Sequence, residues 1–244
     1  MIILRDEKRI ARLNMLAKIA SYGGMAILLV GLGLAFVTED FQRVFIFQLM
    51  ALFVGWIASQ VGIYLTQRYV RSPRPDQVLD EAAKKVSKNG RMYHFLLPAP
   101  HTLLTPHGII VFNPKPHTGK ISVSDDKWHQ AGGFLRRLLG QEPIGNPTLE
   151  VERMVEGLAN YIRKNAPEVE EVPIGAIIVF TTKGASELDL KESRIPAMHY
   201  TKVKGFLRQQ KHELLPQAVY DAIRQAFDQK AVNLTEVVYE GDSS

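Results

Sequence analysis

Residues 109–121 read IIVFNPKPHTGKI, and this stretch decides how the rest of the chain is interpreted. The apolar run at 109–112 is typical of a buried strand. Lys115 follows just past the end of that run, where open α/β sheets place their ligands. Asn113 and two prolines stand where a hydrolytic metal site would need carboxylates. The stretch therefore predicts the strand of an active-site scaffold from which the acidic ligands are missing.

Turn signals on both sides of this stretch predict antiparallel strands. Upstream, PHG at 106–108 separates the apolar run from HTLLT at 101–105, as a hairpin turn does. Downstream, SDDK at 124–127 lies between KISV and WHQ in the same way. The region from residue 93 to 130 is therefore expected to be a set of antiparallel strands.

Helical patterns alternate with these strands. Apolar residues recur at helical spacing in 76–90. Asn146-Pro147 marks the start of a long helix, because Asn can cap free amides and Pro fits the first helical position. VPIGAIIVFTT at 172–182 is typical of a strand covered on both faces. The remaining predicted elements are a short strand at 195–200, a helix capped by Thr201 and a closing helix at 213–229. This order predicts an α/β domain with a mixed sheet.

Two runs without charge precede this domain. Residues 19–37 and 45–67 contain no Asp, Glu, Lys or Arg, and each is long enough to cross a hydrocarbon core of about 30 Å as a helix. A signal peptide has a shorter apolar region, and soluble helices normally keep a polar face. The pattern therefore predicts a transmembrane helical hairpin. Small residues at four-residue spacing predict close packing of its helices, in the pairs Ala20/Gly24, Gly31/Ala35 and Gly55/Ser59.

The charges that flank the hairpin predict its orientation. Lys and Arg are frequent before the first run and after the second, whereas the connection at 38–44 has one Arg and two acids. An excess of Lys and Arg marks the cytoplasmic side, so both termini are expected in the cytoplasm. The predicted organisation is a basic N-terminus (1–18), the hairpin (19–67), a proline-containing linker (68–76), the α/β domain (77–212) and a C-terminal helix and tail (213–244).

Composition excludes several classes of site. The chain has no cysteine, so disulfides, thiolate nucleophiles and cysteine-ligated metals are excluded. Its net charge of +5 is weak evidence for nucleic-acid binding, because many basic residues are topology signals beside the apolar runs. Neither a P-loop nor a Gly-x-Ser-x-Gly elbow is present. Five histidines of the β region lack close metal-ligand spacing, and no metal site is predicted at His94, His101, His107, His117 or His129.

An ordered series of features runs from residue 77 to residue 210. Its members are Glu81 in the first helix, HTLLTPHGIIVFNPK at 101–115, GKI at 119–121, Trp128, the Asn146-Pro147 helix start and IIVFTT at 177–182. This series resembles the nuclease-related domain family (NERD), in which one strand ends in Asp and the next ends in Glu-x-Lys. The resemblance implies a restriction-endonuclease-like fold for the domain.

The resemblance also implies a metal site, and this chain departs from it. In such nucleases an Asp and a Glu hold a divalent cation, and the Lys helps to position or activate water. The Asp position falls on or beside Pro100 and the Glu position on Asn113, so that only Lys115 is retained. Glu81 and Glu150, the latter where relatives often carry Gln, remain as further candidates for a relocated site.

Two functions follow from these departures. The first is a catalytically inactive, membrane-anchored module that needs no cofactor and binds a membrane-protein partner as an accessory subunit of a bacterial membrane complex. The second is a membrane-tethered endonuclease that uses Mg²⁺ or Mn²⁺, or a nucleic-acid-binding protein. Basic residues on the run 202–211 would contact phosphate in the second case, although a solvated helix face is the simpler interpretation: Lys202, Lys204, Arg208 and Lys211. The missing carboxylates favour the first function.

Overall fold

The computed structural model describes residues 1–34, 36, 41–132, 141–184, 187–210, 213–231 and 237–239. The chain divides into two compact units. One consists of Met1–Lys8, Pro75–Ala131 and Ile144–Ser244, and the other of Arg9–Arg74 and Gly132–Pro143. The first is an α/β domain, and the second contains the apolar helices.

Two sheets form the framework of the α/β domain. The strands of the larger sheet are β1 (Ile2–Arg5), β2 (Arg91–His94), β3 (His101–Thr105), β4 (Gly108–Lys115), β7 (Ile174–Phe180), β9 (Ala197–His199) and β10 (Val237–Tyr239). Among the described residues they lie in the order β10-β1-β2-β3-β4-β7-β9. The smaller sheet has the order β6-β5-β8 and contains β5 (Lys120–Ser124), β6 (Lys127–Gln130) and β8 (Glu187–Asp189).

The two predicted hairpins are confirmed. Strands β3 and β4 pair antiparallel around the PHG turn, where Gly108 has a φ of 132°. A Cβ at Gly108 would lie 2.8 Å from the carbonyl oxygen of Pro173, so this turn requires glycine. Strands β5 and β6 pair antiparallel around Asp125 and Asp126, which both have positive φ, as the two central residues of a type I′ turn do.

Helices cover both faces of the larger sheet. They are α3 (Pro75–Ala83), α4 (Pro147–Asn165), α5 (Tyr200–Gln209) and α6 (Gln217–Asp228). One apolar core contains residues of α4 and α6, such as Leu158 and Phe227, and the other contains residues of α3 and α5, such as Leu79 and Val203. The side chain of Asn146 accepts a hydrogen bond from the Leu149 amide at 3.1 Å, which confirms the predicted start of α4. The predicted α/β class with a mixed sheet is confirmed.

Three predicted helix boundaries of the α/β domain differ from the structure. The helix expected over 76–90 ends at Ala83, because Lys85 adopts a left-handed backbone conformation with a φ of 58°. Helix α5 begins one residue before its predicted cap, and Thr201 instead places its hydroxyl 2.9 Å from Nδ1 of His199. The closing helix begins at Gln217 rather than 213, since a residue before proline, here Leu215, disfavours helical backbone.

The sequence pattern of residues 1–18 predicts a basic terminus, but the structure places β1 within the larger sheet. It pairs parallel with β2, from Ile2 opposite Arg91 to Arg5 opposite His94. On its other side it pairs antiparallel with β10. The α/β domain therefore includes a strand that precedes the apolar helices in the chain.

The second unit contains helices α1 (Glu7–Leu34) and α2 (Phe41–Leu65), followed by a π-helical turn at Thr66–Val70. Both α1 and the segment that contains α2 are long and apolar enough to cross a membrane. Only 17% and 11% of their apolar windows are buried, whereas a core helix of a soluble protein would be mostly buried. Helix α1 begins upstream of the charge-free run, since Lys, Arg, Leu and Ala are good helix formers. Residues 38–40 of the predicted connection, and Ala35 and Val37 of the first charge-free run, lie outside the described residues.

The predicted small-residue contacts join α1 and α2. A Cβ at Gly24 would lie 3.0 Å from the Ala58 side chain and 3.3 Å from the Gly55 carbonyl oxygen. A Cβ at Gly31 would lie 2.7 Å from the Ala51 side chain. The glycines therefore let the two helices approach closely, as the spacing predicts.

Three tyrosines of the α/β domain, of which Tyr93 and Tyr220 are buried and Tyr161 is partly buried, predict alkaline sensitivity. Burial and the Asp228 carboxylate, which accepts from the Tyr93 hydroxyl at 2.8 Å, raise the pKa of Tyr93. Burial also raises the pKa of Tyr161 and Tyr220.

The folded state therefore keeps protons that the unfolded chain releases above pH ~10, so stability should fall as the pH rises above that value. The slope should approach about 1.4 kcal/mol per pH unit for Tyr93, with smaller contributions from Tyr161 and Tyr220, and urea unfolding at a series of alkaline pH values measures it. Replacing Tyr93 with Phe should make this slope shallower, and an unchanged slope would contradict its assignment to Tyr93.

Candidate functional site

Strand β4 carries the two sequence-predicted residues Asn113 and Lys115 on one face of the larger sheet. Side chains two residues apart on a strand point to the same side. Ile109 and Val111, which precede them in this alternation, belong to the core that α4 covers. The side chains of Asn113 and Lys115 therefore approach the beginning of α4, where Asn146-Pro147 starts the helix.

Glu150 completes this group from the first turn of α4. Nζ of Lys115 donates to Oε2 of Glu150 at 2.6 Å and to the carbonyl oxygen of Ile144 at 3.3 Å. Nδ2 of Asn113 donates to the carbonyl oxygen of Pro147 at 3.1 Å and to Oε2 of Glu150 at 3.4 Å. The structure thus brings together three of the predicted residues, and we call Asn113, Lys115 and Glu150 the motif cluster.

The side chains of the motif cluster bond to one another, and two of the three are buried. Asn113 is 3% exposed and Lys115 is 4% exposed, while the side chain of Glu150 is 38% exposed. The amide group of Asn113 uses its NH₂ as a donor, and the Lys115 ammonium is neutralised by Glu150. A carboxylate at the N-terminal end of a helix is also stabilised by the helix dipole. In this arrangement the Glu150 carboxylate pairs with the Lys115 ammonium, as in a structural ion pair.

The position expected for the catalytic Asp lies beside Asn113. Strands β3 and β4 pair with Thr102 opposite Val111, and continuing that register places Pro100 opposite Asn113. The Pro100 carbonyl oxygen accepts from the Phe95 amide at 2.7 Å. Proline has no side-chain oxygen, so this neighbour offers no ligand atom beyond its backbone carbonyl.

Glu81 is not part of the motif cluster. It lies on α3, which covers the opposite face of the sheet from α4. Its side chain is 74% exposed and lies 3.8 Å from the Lys84 ammonium. Glu81 therefore does not lie beside Lys115 and Glu150 in this fold, and the three residues do not form a relocated metal site.

The basic residues of α5 lie on its solvent side. Val203 and Leu207 are buried beneath the helix, whereas Lys202 and Arg208 are exposed and Lys204 is half-buried. Arg208 approaches the carbonyl oxygen of Lys85 at 3.5 Å. Lys211, the fourth basic residue, lies outside the described residues. Phosphate binding by this face stays a prediction.

A second buried polar cluster lies on the α3 face of the sheet and is not predicted from the sequence. Arg5 from β1 forms ion pairs with Asp76 and Asp80, two residues one turn apart on α3, and its Nε lies 2.8 Å from Asp76. Nε2 of His94 lies 2.8 Å from Asp80, and the Nδ1 atoms of His94 and His101 are 2.8 Å apart. We call these five residues the Arg5 cluster. The i, i+4 spacing of Asp76 and Asp80 is its one local signal, because the other members come from different strands.

The histidines separate into different environments. His94 and His101 belong to the Arg5 cluster, while His107, His117 and His129 lie in the β3–β4 turn, after β4 and in β6, respectively. Among the residues that the structure describes, no group of three or more His, Asp or Glu side chains has the geometry to hold a metal ion.

The unequal burial of the Lys115–Glu150 pair predicts unequal effects of its two partners. Glu150→Ala removes the carboxylate that lies 2.6 Å from the buried Lys115 ammonium and should cost about 2–3 kcal/mol, below the range for fully buried pairs because Glu150 is partly exposed. Lys115→Met returns Glu150 to solvent and should cost about 1 kcal/mol or less. Urea unfolding of the full chain measures both. Equal costs, or a larger cost for Lys115→Met, would contradict this description of the motif cluster.

The comparisons with known proteins give a family match for part of the α/β domain. The family model of the nuclease-related domain matches residues 77–181, a range that begins in α3 and ends just after β7. No curated protein and no solved structure matches the chain at a significant level. The matched range includes the motif cluster, Pro100 and Glu81. The chain therefore contains a nuclease-related domain at residues 77–181.

Proposed function

We propose that this protein is a membrane-anchored, catalytically inactive nuclease-related domain protein that acts as an interaction module, as an accessory subunit of a bacterial membrane complex. Its helical hairpin would cross the cytoplasmic membrane, and the positive charges that flank the apolar runs favour cytoplasmic termini. The α/β domain would then meet its partner at the inner surface of that membrane.

The motif cluster carries this proposal. A nuclease of this type needs two carboxylates to hold a divalent cation next to the lysine, because hard cations take negatively charged oxygen ligands. The resemblance places Asn113 and a residue at or beside Pro100 at the two carboxylate positions, and Lys115 is buried in an ion pair with Glu150. The lysine that would activate water is thereby held by a structural contact.

The packing around the motif cluster supports a structural role for the domain. Residues around the motif cluster are fully buried, including Val111 and Phe112 on β4 and Phe180 on β7. Asn113 bonds to the backbone of α4 and so connects β4 to the helix. The substituted motif therefore contributes to a stable scaffold, which is what an interaction module requires.

A plasmid-nicking assay tests the inactive state. Full-length protein in detergent is incubated with supercoiled plasmid and Mg²⁺ or Mn²⁺, beside its Lys115→Met variant. We expect no metal-dependent nicking by either protein above the buffer control. Metal-dependent nicking that Lys115→Met abolishes would overturn the proposal and favour the endonuclease alternative.

Extraction from the native membrane tests the interaction. The tagged full chain is solubilised in mild detergent, and co-purifying components are identified by native gel and mass spectrometry. We expect a membrane protein in stoichiometric amount. A protein that purifies alone, or with nucleic acid, would contradict the accessory role.

A further inference from the structure

A cleft at the end of the larger sheet remote from the motif cluster has the character of a ligand site. It lies at the amino ends of β4 and β7, whereas Asn113 and Lys115 lie at the carboxyl end of β4. We propose that this cleft binds a single-chain anionic amphiphile, that is, an apolar chain that ends in a carboxylate or a phosphate.

The size and floor of the cleft suit an apolar chain. Its volume is about 670 Å³, within the usual range for small-molecule sites. Apolar side chains from four segments line it: Val86, Ile110, Ile174 and Leu207. Backbone at Gly108 and Gly175 also lines the cleft.

The rim of the cleft suits an anionic head group. Lys88 comes from the connection between α3 and β2, His107 from the β3–β4 turn and Arg208 from α5. The residues that line the cleft include no aspartate or glutamate. Within the described part of the chain, no carboxylate forms an ion pair with Lys88 or Arg208. Two cations without an acidic partner therefore face one opening, where a single negative charge would be attracted to both.

A polyanion fits these features less well than a small amphiphile. Nucleic-acid grooves combine a track of cations with aromatic side chains on which bases stack. The cleft has no Phe, Tyr or Trp in its lining, and its floor is aliphatic. Exposed Lys202 on α5 is not among the lining residues, so the basic positions do not form one continuous track through the cleft.

Photolabelling of the full chain tests this site. The protein is placed in nanodiscs of zwitterionic lipid, and a diazirine analogue of palmitate is added, irradiated and mapped by mass spectrometry. We expect label on the cleft segments 86–88, 107–110 and 207–210. Arg208→Glu and Lys88→Glu should each lower this label about tenfold, the effect of losing a charged hydrogen bond. Label on the apolar helices provides an internal reference that neither substitution should change.

Matched controls separate the site from general attraction. Lys202→Glu makes the same charge change on the same helix but outside the cleft, and should leave cleft labelling unchanged. The corresponding diazirine alcohol, which has the chain without the charge, should label the cleft about tenfold less. Equal labelling by acid and alcohol, or equal losses in Arg208→Glu and Lys202→Glu, would overturn the proposal. Displacement of the probe by a single-stranded oligonucleotide but not by unlabelled palmitate would also overturn it, in favour of a polyanion site.

Discussion

Replacement of Arg5 with methionine is expected to lower the free energy of unfolding of the α/β domain by about 3–5 kcal/mol, the usual cost of removing one partner from a buried ion pair. Asp76 is fully buried and Asp80 is 17% exposed, and both lose their guanidinium partner in this variant. Methionine retains much of the apolar volume of the arginine stem, so that the effect reports mainly on charge. Urea unfolding of the full chain, followed by Trp128 fluorescence in a Trp56→Phe background, measures the change.

The physical reason is the asymmetry between making and breaking a buried ion pair. A carboxylate that leaves water loses strong hydration, and the Arg5 guanidinium compensates for this loss with its opposite charge. Once Arg5 is removed, Asp76 must stay charged without the Arg5 guanidinium or take up a proton. A second variant, Arg5→Met with Asp76→Asn, removes this buried charge and should recover part of the lost stability.

Arg194 provides the matched control. Its side chain is 63% exposed and pairs with Asp126 at 3.1 Å and Glu152 at 2.6 Å, so Arg194→Met removes the same group from a similar number of carboxylates. Exposed pairs contribute about 0–1 kcal/mol, and we expect the control to stay in that range. Similar losses in Arg5→Met and Arg194→Met would show that the Arg5 cluster contributes no more than a surface ion pair.

The position of Arg5 in the chain relates this contact to the apolar helices. Arg5 precedes α1, and Asp76 and Asp80 lie in α3, which follows the apolar segment. The apolar helices are therefore an insertion between β1 and α3 of the same domain. The ion pairs join the two ends of the insertion within that domain, so a fragment that starts at residue 77 would lose both β1 and this contact.

Local signals predict the centre of the domain well, and long-range pairing explains what they miss. The apolar run before Asn113, the PHG turn and the Asn146-Pro147 cap each depend on neighbouring residues, and each is confirmed. Strand β1 has four residues and its partners lie far along the chain, so no local pattern identifies it. For the same reason, no local sequence pattern predicts that Arg5 and His94 both contact Asp80.

The candidate site also contains residues that local signals place correctly and one, Glu81, that they do not. Alternation along β4 places Asn113 and Lys115 on one face, and the helix start places Glu150 near them. Glu81 depends on the rotational phase of a short helix, in which Asp80 faces the sheet and Glu81 faces solvent. One residue on a helix corresponds to about 100° of rotation, so a motif alignment alone does not decide which of two neighbours points inward.

Replacement of Gly24 with leucine is expected to separate α1 from α2. A Cβ at this position already lies 3.0 Å from the side chain of Ala58 and 3.3 Å from the backbone of Gly55, and further atoms have no space between the helices. The helices should move from a small-residue contact toward the ordinary separation of 8–10 Å, an increase of about 2 Å or more. The chain has no native cysteine, so spin labels at Met25→Cys and Phe53→Cys, two exposed positions, report this distance by pulsed electron paramagnetic resonance.

Gly23 is the control for that substitution because it precedes Gly24 on the same helix and a Cβ there meets nothing within 4 Å. Gly23→Leu adds the same volume and the same helix propensity, but it should leave the distance between the labels unchanged. Van der Waals contact between close backbones drives helix association in lipid, so loss of that contact should also broaden the distance distribution of Gly24→Leu. An equal shift in both variants would trace the effect to the added side chain itself, and no shift in either would show that the hairpin does not depend on the Gly24–Gly55 contact.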